Sequence, residues 1–227
     1  MGHISDQLAR EAPAAKAVEQ DRGTLTTDAV VNAALRLTHE HGLGGLTTRR
    51  LCSDLGVTAP TIYHHVGSMQ NLYELVADAV IAGISVPSGK PWDTTLVELL
   101  RRTRSAFAKY PGVASFVNGH RPLPAATRLA DVSLGLLLSG GFAPDAALKV
   151  YHCLTVYNMG QMLADAPDPL TSGTSKSVAT FLPRSAPTDL PHLIAATAAT
   201  GGLNPGDTHL TGIRWILDGA ARATGQN

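Results

Sequence analysis

Thr61, Tyr63, His64 and His65 share the polar side of one short apolar-periodic run, and Thr48 and Arg49 open a similar run just before it. Between Leu46 and Val66 the two runs flank a turn at Gly56 and Val57. Two short helices joined this way form a helix-turn-helix, in which the first braces a second that enters the DNA major groove. Ile62 and Val66 fall on the opposite side and read as core. A competing reading of Tyr63 and His64 is that they too pack the small helical core.

Few other chemistries fit the chain. It holds no Gly-x-Ser-x-Gly, no His-Glu-x-x-His and no glycine-rich phosphate loop, so an enzyme is not expected. Zinc ligation by His39 and His41 fails on spacing, because helical residues two apart point their imidazoles away from each other. His64 and His65 are consecutive and diverge by about 100°. No metal site and no cofactor are therefore expected.

The elements that hold these residues follow from periodicity. Apolar spacings of three and four dominate and no segment alternates long enough to demand a strand, so the fold is read as all-α. A first helix is expected from Thr26 to His41, with Ala29, Val30, Ala33, Ala34 and Leu37 inward. Thr47 is placed to cap the second helix, Gly56 to end it, and Thr58 to cap the third, where Pro60 is tolerated in the first turn. Ser68 caps a fourth helix reaching about Ile84. A Pro/Gly/Ser break follows over 86–91. Beyond it helices are expected over 92–110, 112–118, 124–139, 144–165, 190–200 and 207–223. The segment 166–187, with prolines at 167, 169, 183 and 187, reads as a mobile loop.

Totals narrow the class further. The 227 residues carry 18 basic and 18 acidic side chains, so no global charge advertises a polyanion. No apolar run of about 18 residues exists to span a bilayer, and no membrane partner is expected. Residues 1–23 read as a loose arm without a signal-peptide pattern. Cys52 and Cys153 are expected to be buried and reduced, which suits a cytoplasmic protein.

The motifs Leu-Thr-Thr-Arg-Arg-Leu (46–51) and Leu-Gly-Val-x-x-Pro-Thr-Ile-Tyr-x-His-Val (55–66) resemble the DNA-binding domain of the TetR family of bacterial repressors. The segments 119–122, 140–142, 158–160 and 212–219 are similar to the tetracycline repressor subgroup. The resemblance implies a helix-turn-helix domain over 24–85 and a helical ligand-binding and dimerisation domain over 86–227. It implies a homodimer that binds a palindromic double-stranded operator as a repressor and is released by a small-molecule effector. An activator, or a regulator needing no ligand, is the alternative.

By matching position, Arg49 is expected to read a guanine edge, Thr48, Tyr63 and His65 to hold phosphates, and Ala59, Pro60 and Thr61 to meet bases. His64 completes the expected DNA set. The chemistry agrees: arginine grips guanine O6 and N7 bidentately, and proline and alanine suit the thymine methyl. One departure stands out. Between 24 and 85 three arginines face five carboxylates, and Met69 occupies the position of a phosphate-binding lysine. The salt dependence of binding is expected to be shallow, with Lys16 and Arg22 as further sources of charge.

The expected effector residues are Thr103, Phe107, Phe116, His120, Arg121, Tyr157, Asn158 and Gln161. Asn158 and Gln161 interrupt an apolar helix, and an unpartnered buried amide is costly, so a ligand or a structural partner must satisfy them. For Asn158 the structural alternative is the opposite subunit's backbone. For His120 it is a hydrogen-bonded core histidine, and for Arg121 a hinge between domains. The resemblance places Ser85, Phe116 or Val117, and Ala164 where the tetracycline repressors hold drug and metal, so a metal-free, partly aromatic or polycyclic effector is expected. The dimer stripes are expected at Leu148, Tyr151, Leu154 and Met162 and at Ile213, Ile216, Leu217 and Ala220, or else these pack within one subunit. Effector binding is expected to tilt the fourth helix and so change the separation of the two recognition helices.

Overall fold

The computed structural model describes residues 25–165, 190–192, 194–195 and 205–225. The expected arm over 1–23 and loop over 166–187 lie outside the described residues. The chain forms α1 (Thr27–His41), a 3₁₀ turn (Leu43–Gly45), α2 (Thr48–Leu55), α3 (Ala59–Val66) and α4 (Met69–Ala82). Then follow α5 (Trp92–Ala108), α6 (Val113–Asn118), α7 (Pro124–Ser139), α8 (Pro144–Asp165) and α9 (Pro205–Ala223). No strand occurs among the described residues, and none of the described helices is long and apolar enough to cross a membrane.

Local chemistry sets the starts and stops. Thr26, Thr47 and Ser68 each accept a backbone N–H of the first turn of α1, α2 and α4, satisfying amides that lack intrahelical partners. Thr58 sits at the N-cap of α3 but its hydroxyl pairs with that of Thr61 at 3.0 Å instead of a backbone amide. Gly56 ends α2 in the left-handed region, φ 64° and ψ 31°, where a side chain would clash with its own backbone.

Two apolar clusters hold the helices. The first joins Val30, Ala33 and Leu37 of α1 and Leu51, Ile62 and Val66 of the helix-turn-helix to Leu72, Val76 and Ile81 of α4. It continues without interruption to Leu99, Phe107, Leu123 and Met162. The 24–85 segment and the rest of the chain thus share one core, with α4 running through it. The second cluster packs Leu96, Leu137, Leu154, Ile213 and Leu217 from α5, α7, α8 and α9 with Phe142 of the α7–α8 turn. Gly212 is required there because a Cβ would overlap the Tyr157 ring.

Several expectations need correcting. Cys153 is exposed on α8 and Cys52 is only partly buried, because both fall just outside the inward arc of their helices. The expected dimer stripes divide: Leu154, Met162, Ile213 and Leu217 are buried within the subunit. On α8 and α9 the large apolar residues left facing outward are Leu148 at 59%, Val156 at 58% and Trp215 at 72% exposure. Each helix has two apolar arcs, and periodicity alone does not say which one the subunit itself covers.

Candidate DNA interface and effector cavity

Within the helix-turn-helix, Ile62 and Val66 anchor α3 from behind, at 0% and 2% exposure. Tyr63 and His64 consequently face solvent, so the core-packing reading of these two fails. The Tyr63 hydroxyl lies 3.0 Å from Thr48 Oγ1, tying α3 to α2 on the outer surface. Pro60 is exposed, and Ala59, Thr61 and His65 are partly exposed beside it. His64 and His65 meet edge to face with centroids 5.4 Å apart. Arg49 is exposed and, among the described residues, makes no hydrogen bond or ion pair.

Several other charges of this segment are engaged within the protein. Arg36 bonds Asp54 at 2.8 Å, and Arg50 donates to the Gly45 carbonyl at 2.7 Å. Glu74 and Asp78 turn toward the α6–α7 connection. Gln70, Glu74 and Asp78 form an i, i+4, i+8 stripe down one face of α4. Gln70 Nε2 meets His120 Nε2 at 2.8 Å, Glu74 lies 3.9 Å from the exposed Arg121 guanidinium, and Asp78 accepts the Ala125 N–H at 2.7 Å. His120 Nδ1 is 2.7 Å from the Phe116 carbonyl and must donate there, which leaves Nε2 to accept from the Gln70 amide. The His120 ring also stacks on Phe116, 3.8 Å between centroids.

A cavity of about 140 Å³ opens between α4, α5, α6, α7 and α8. Of the expected effector residues it gathers Thr103, Phe107 and Asn158. Phe116, His120, Arg121, Tyr157 and Gln161 lie off it. Phe116 and His120 are occupied with each other and with α4, and Arg121 is 84% exposed at its side chain. Tyr157 faces α9, donating to the Thr208 carbonyl at 3.1 Å. Gln161 is partly exposed, so its amide is open to solvent. Among the lining residues that sequence reasoning did not assign to the effector are Ile81, Ser133, Tyr151, Thr155 and Met159. Ser133 carried a signal, a lone hydroxyl in the apolar run 132–138; Ile81 carried none.

Asn158 has its partner inside the subunit. His209 of α9, 1% exposed, donates Nε2–H to Asn158 Oδ1 at 2.7 Å, and Asn158 Nδ2 lies a long 3.5 Å from the Leu100 carbonyl. Burial, first, and the nearby Arg104 hold the His209 imidazole below its usual pKa, against a smaller opposing effect of Asp165. The ring stacks on Tyr157, 5.9 Å between centroids. At the far end of α4, Ser85 is gripped by Arg102, whose guanidinium donates to its Oγ at 2.8 Å and its carbonyl at 3.1 Å. Arg102 and Arg101 also bond Glu98, which lowers that carboxyl to about 2, the Arg101 hydrogen bonds contributing most.

A solvent-facing helix-turn-helix, with hydroxyls and a free arginine on its outer surface, defines a DNA-binding regulator. The family model described as bacterial regulatory proteins of the tetR family matches residues 30–76, and that of the tetracyclin repressor-like C-terminal domain matches 87–223. The chain belongs to the tetR family of bacterial transcriptional regulators, and is not an enzyme. It is 30% identical over 202 residues to the tetracycline repressor protein class A from transposon 1721 of Escherichia coli, covering 87% of this chain and 91% of that one. Apo ActR from Streptomyces coelicolor superimposes with a TM-score of 0.76 at 25% identity, over 91% of this chain and 99% of its own. ActR in complex with actinorhodin gives 0.74 at 26% identity, over 89% and 100%.

Proposed function

We propose that the protein is a homodimeric repressor that binds a palindromic operator and is released by a small, metal-free, partly aromatic or polycyclic effector. One observation carries the coupling: Ile81 of α4 lines the cavity, while the start of the same helix is fastened to the reading head. Asn71 Nδ2 donates to the Val66 carbonyl at the end of α3 at 2.9 Å, and the Tyr73 hydroxyl donates to the Leu46 carbonyl at 3.1 Å. About 15 Å of continuous helix separates Asn71 from Ile81.

The size of the cavity turns that continuity into a mechanism. A dry cavity of about 150 Å³ holds one benzene ring. A larger effector must part the walls, and packed interiors respond by shifting whole elements, since side chains there are not compressible. Displacing Ile81 tilts α4 and carries α3 with it. The relatives support such an effector, one being a tetracycline repressor and another a regulator bound to actinorhodin. Among the described residues no carboxylate or imidazole lines the cavity, so a hard cation finds only neutral oxygens there and has little to hold it.

Homodimerisation supplies two recognition helices for two half-sites. The outward Leu148, Val156 and Trp215 on α8 and α9 support it. Selection of bound sequences from randomised duplex DNA tests the proposal: inverted half-sites about one helical turn apart are expected, and a single unrepeated half-site overturns it. The selected duplex, placed before a reporter gene, then separates repression from activation.

A further inference from the structure

The cavity walls carry a hydrogen-bonding polarity of their own. Ser133 is 4% exposed, and its Oγ donates to the Leu129 carbonyl at 2.8 Å. Thr103 Oγ1 likewise donates to the Leu99 carbonyl at 2.9 Å. Each hydroxyl has one proton, and a main-chain carbonyl of its own helix already holds it. Toward the cavity both oxygens offer only lone pairs. Asn158 is the reverse. Its Oδ1 already accepts from His209, while its Nδ2 has a hydrogen free and another held only by the long contact to Leu100.

Tyr151, partly exposed, and Thr155, exposed, add hydroxyls to the lining; the remaining lining side chains are apolar, and none of the described side chains around the cavity is charged. Arg104 and Asp165, the nearest ion pair across Phe107 and Met162, bind each other at 2.6 Å and face a separate, smaller cavity. A charged group entering the cavity beside Ser133 would lose water and gain no counterion from the described lining, which costs far more than a lost hydrogen bond.

We propose that this cavity selects an uncharged ring compound that donates a hydroxyl proton to Ser133 and Thr103 and accepts a hydrogen bond from Asn158. The inference rests on the reading of the cavity as the effector site. It goes further by assigning the occupant's charge and the direction of its hydrogen bonds, and by naming Ser133 as a specificity-determining residue. Carboxylates, sulfonates and ammonium compounds of the same shape are excluded.

Three probes of matched shape test it against the full-length protein by calorimetry: naphthol, its methyl ether and naphthoate. Naphthol is expected to bind about fivefold to tenfold more tightly than the ether, which lacks the donor. Naphthoate is expected to bind about a hundredfold more weakly than naphthol, or not at all. Combining Ser133→Ala with Thr103→Val should bring naphthol down to the ether's affinity while leaving the ether unchanged. Naphthoate binding as well as naphthol, equal affinity for naphthol and ether, or no binding by any probe overturns the inference on the unaltered protein, whatever the variants do. Operator release is read separately. Binding with the expected preference but without release leaves the cavity chemistry standing and overturns the effector reading; release by naphthoate alone does the opposite.

Discussion

Gln70 and His120 lie fifty residues apart in sequence and 2.8 Å apart in space, joining the first turn of α4 to the end of α6. With the contacts of Glu74 and Asp78 they tie the α6–α7 connection to α4. Because Nδ1 of His120 is held by the Phe116 carbonyl, its ring cannot turn away without breaking two hydrogen bonds. His120, expected to contact effector, lies off the cavity and links the α6–α7 connection to α4.

Breaking that joint should uncouple the two ends of the protein. His120→Ala or Gln70→Ala removes a net contribution of about 1 kcal/mol, so operator affinity without effector should change about fivefold. Effector affinity should shift only in the opposite sense, through the shared equilibrium, since neither residue lines the cavity. Paired operator and effector titrations check this; equal loss of effector binding would restore His120 to the binding site.

The Asn158–His209 pair predicts a pH dependence of stability. The folded state holds His209 neutral with a depressed pKa, whereas the unfolded imidazole titrates near about 6.5. Below that pH the unfolded chain binds a proton that the native chain refuses. Stability is therefore complete above pH of about 7 and falls as the pH drops, by up to about 1.4 kcal/mol per unit from this group. Denaturant titrations from pH 8 to 5 should show the fall, and His209→Gln should flatten this part of it.

Arg49 is the free guanidinium of the reading head. Arg49→Ala should cost about 1–3 kcal/mol of operator binding and relax specificity at one base pair of each half-site. A uniform loss across all sequences would make Arg49 a phosphate contact instead. With Arg36 and Arg50 engaged within the protein, the log–log salt slope of operator binding should stay shallower than about −8 for the dimer.

Trp215 at 72% exposure, with Leu148 and Val156, predicts where subunits meet. Trp215→Glu would place a charge in that contact and should shift the protein toward monomer in sedimentation experiments, with melting of the isolated subunit little changed. A variant that remains dimeric moves the interface off this face.

The helix-turn-helix was legible in the chain because everything that specifies it is local. The caps at Thr47 and Ser68, the left-handed Gly56 and the three-and-four spacing of Leu51, Ile62 and Val66 act within one or two turns. The exposure of Tyr63 and His64 then follows from which side Ile62 occupies. The effector half was legible only as helices with an inward arc. Periodicity says that Asn158 points inward; it does not say that His209, fifty-one residues later, waits there.

Nor does it say that Tyr157, one residue earlier, points at α9 and away from the cavity. Ile81, Thr103, Ser133 and Asn158 come from four helices, and their convergence depends on how those helices cross and rotate against one another. Those angles are settled by packing among residues distant in the chain, which no local pattern records. Local sequence therefore specified the reading head. The cavity, its polarity and its line of contact to that head exist only in the folded arrangement.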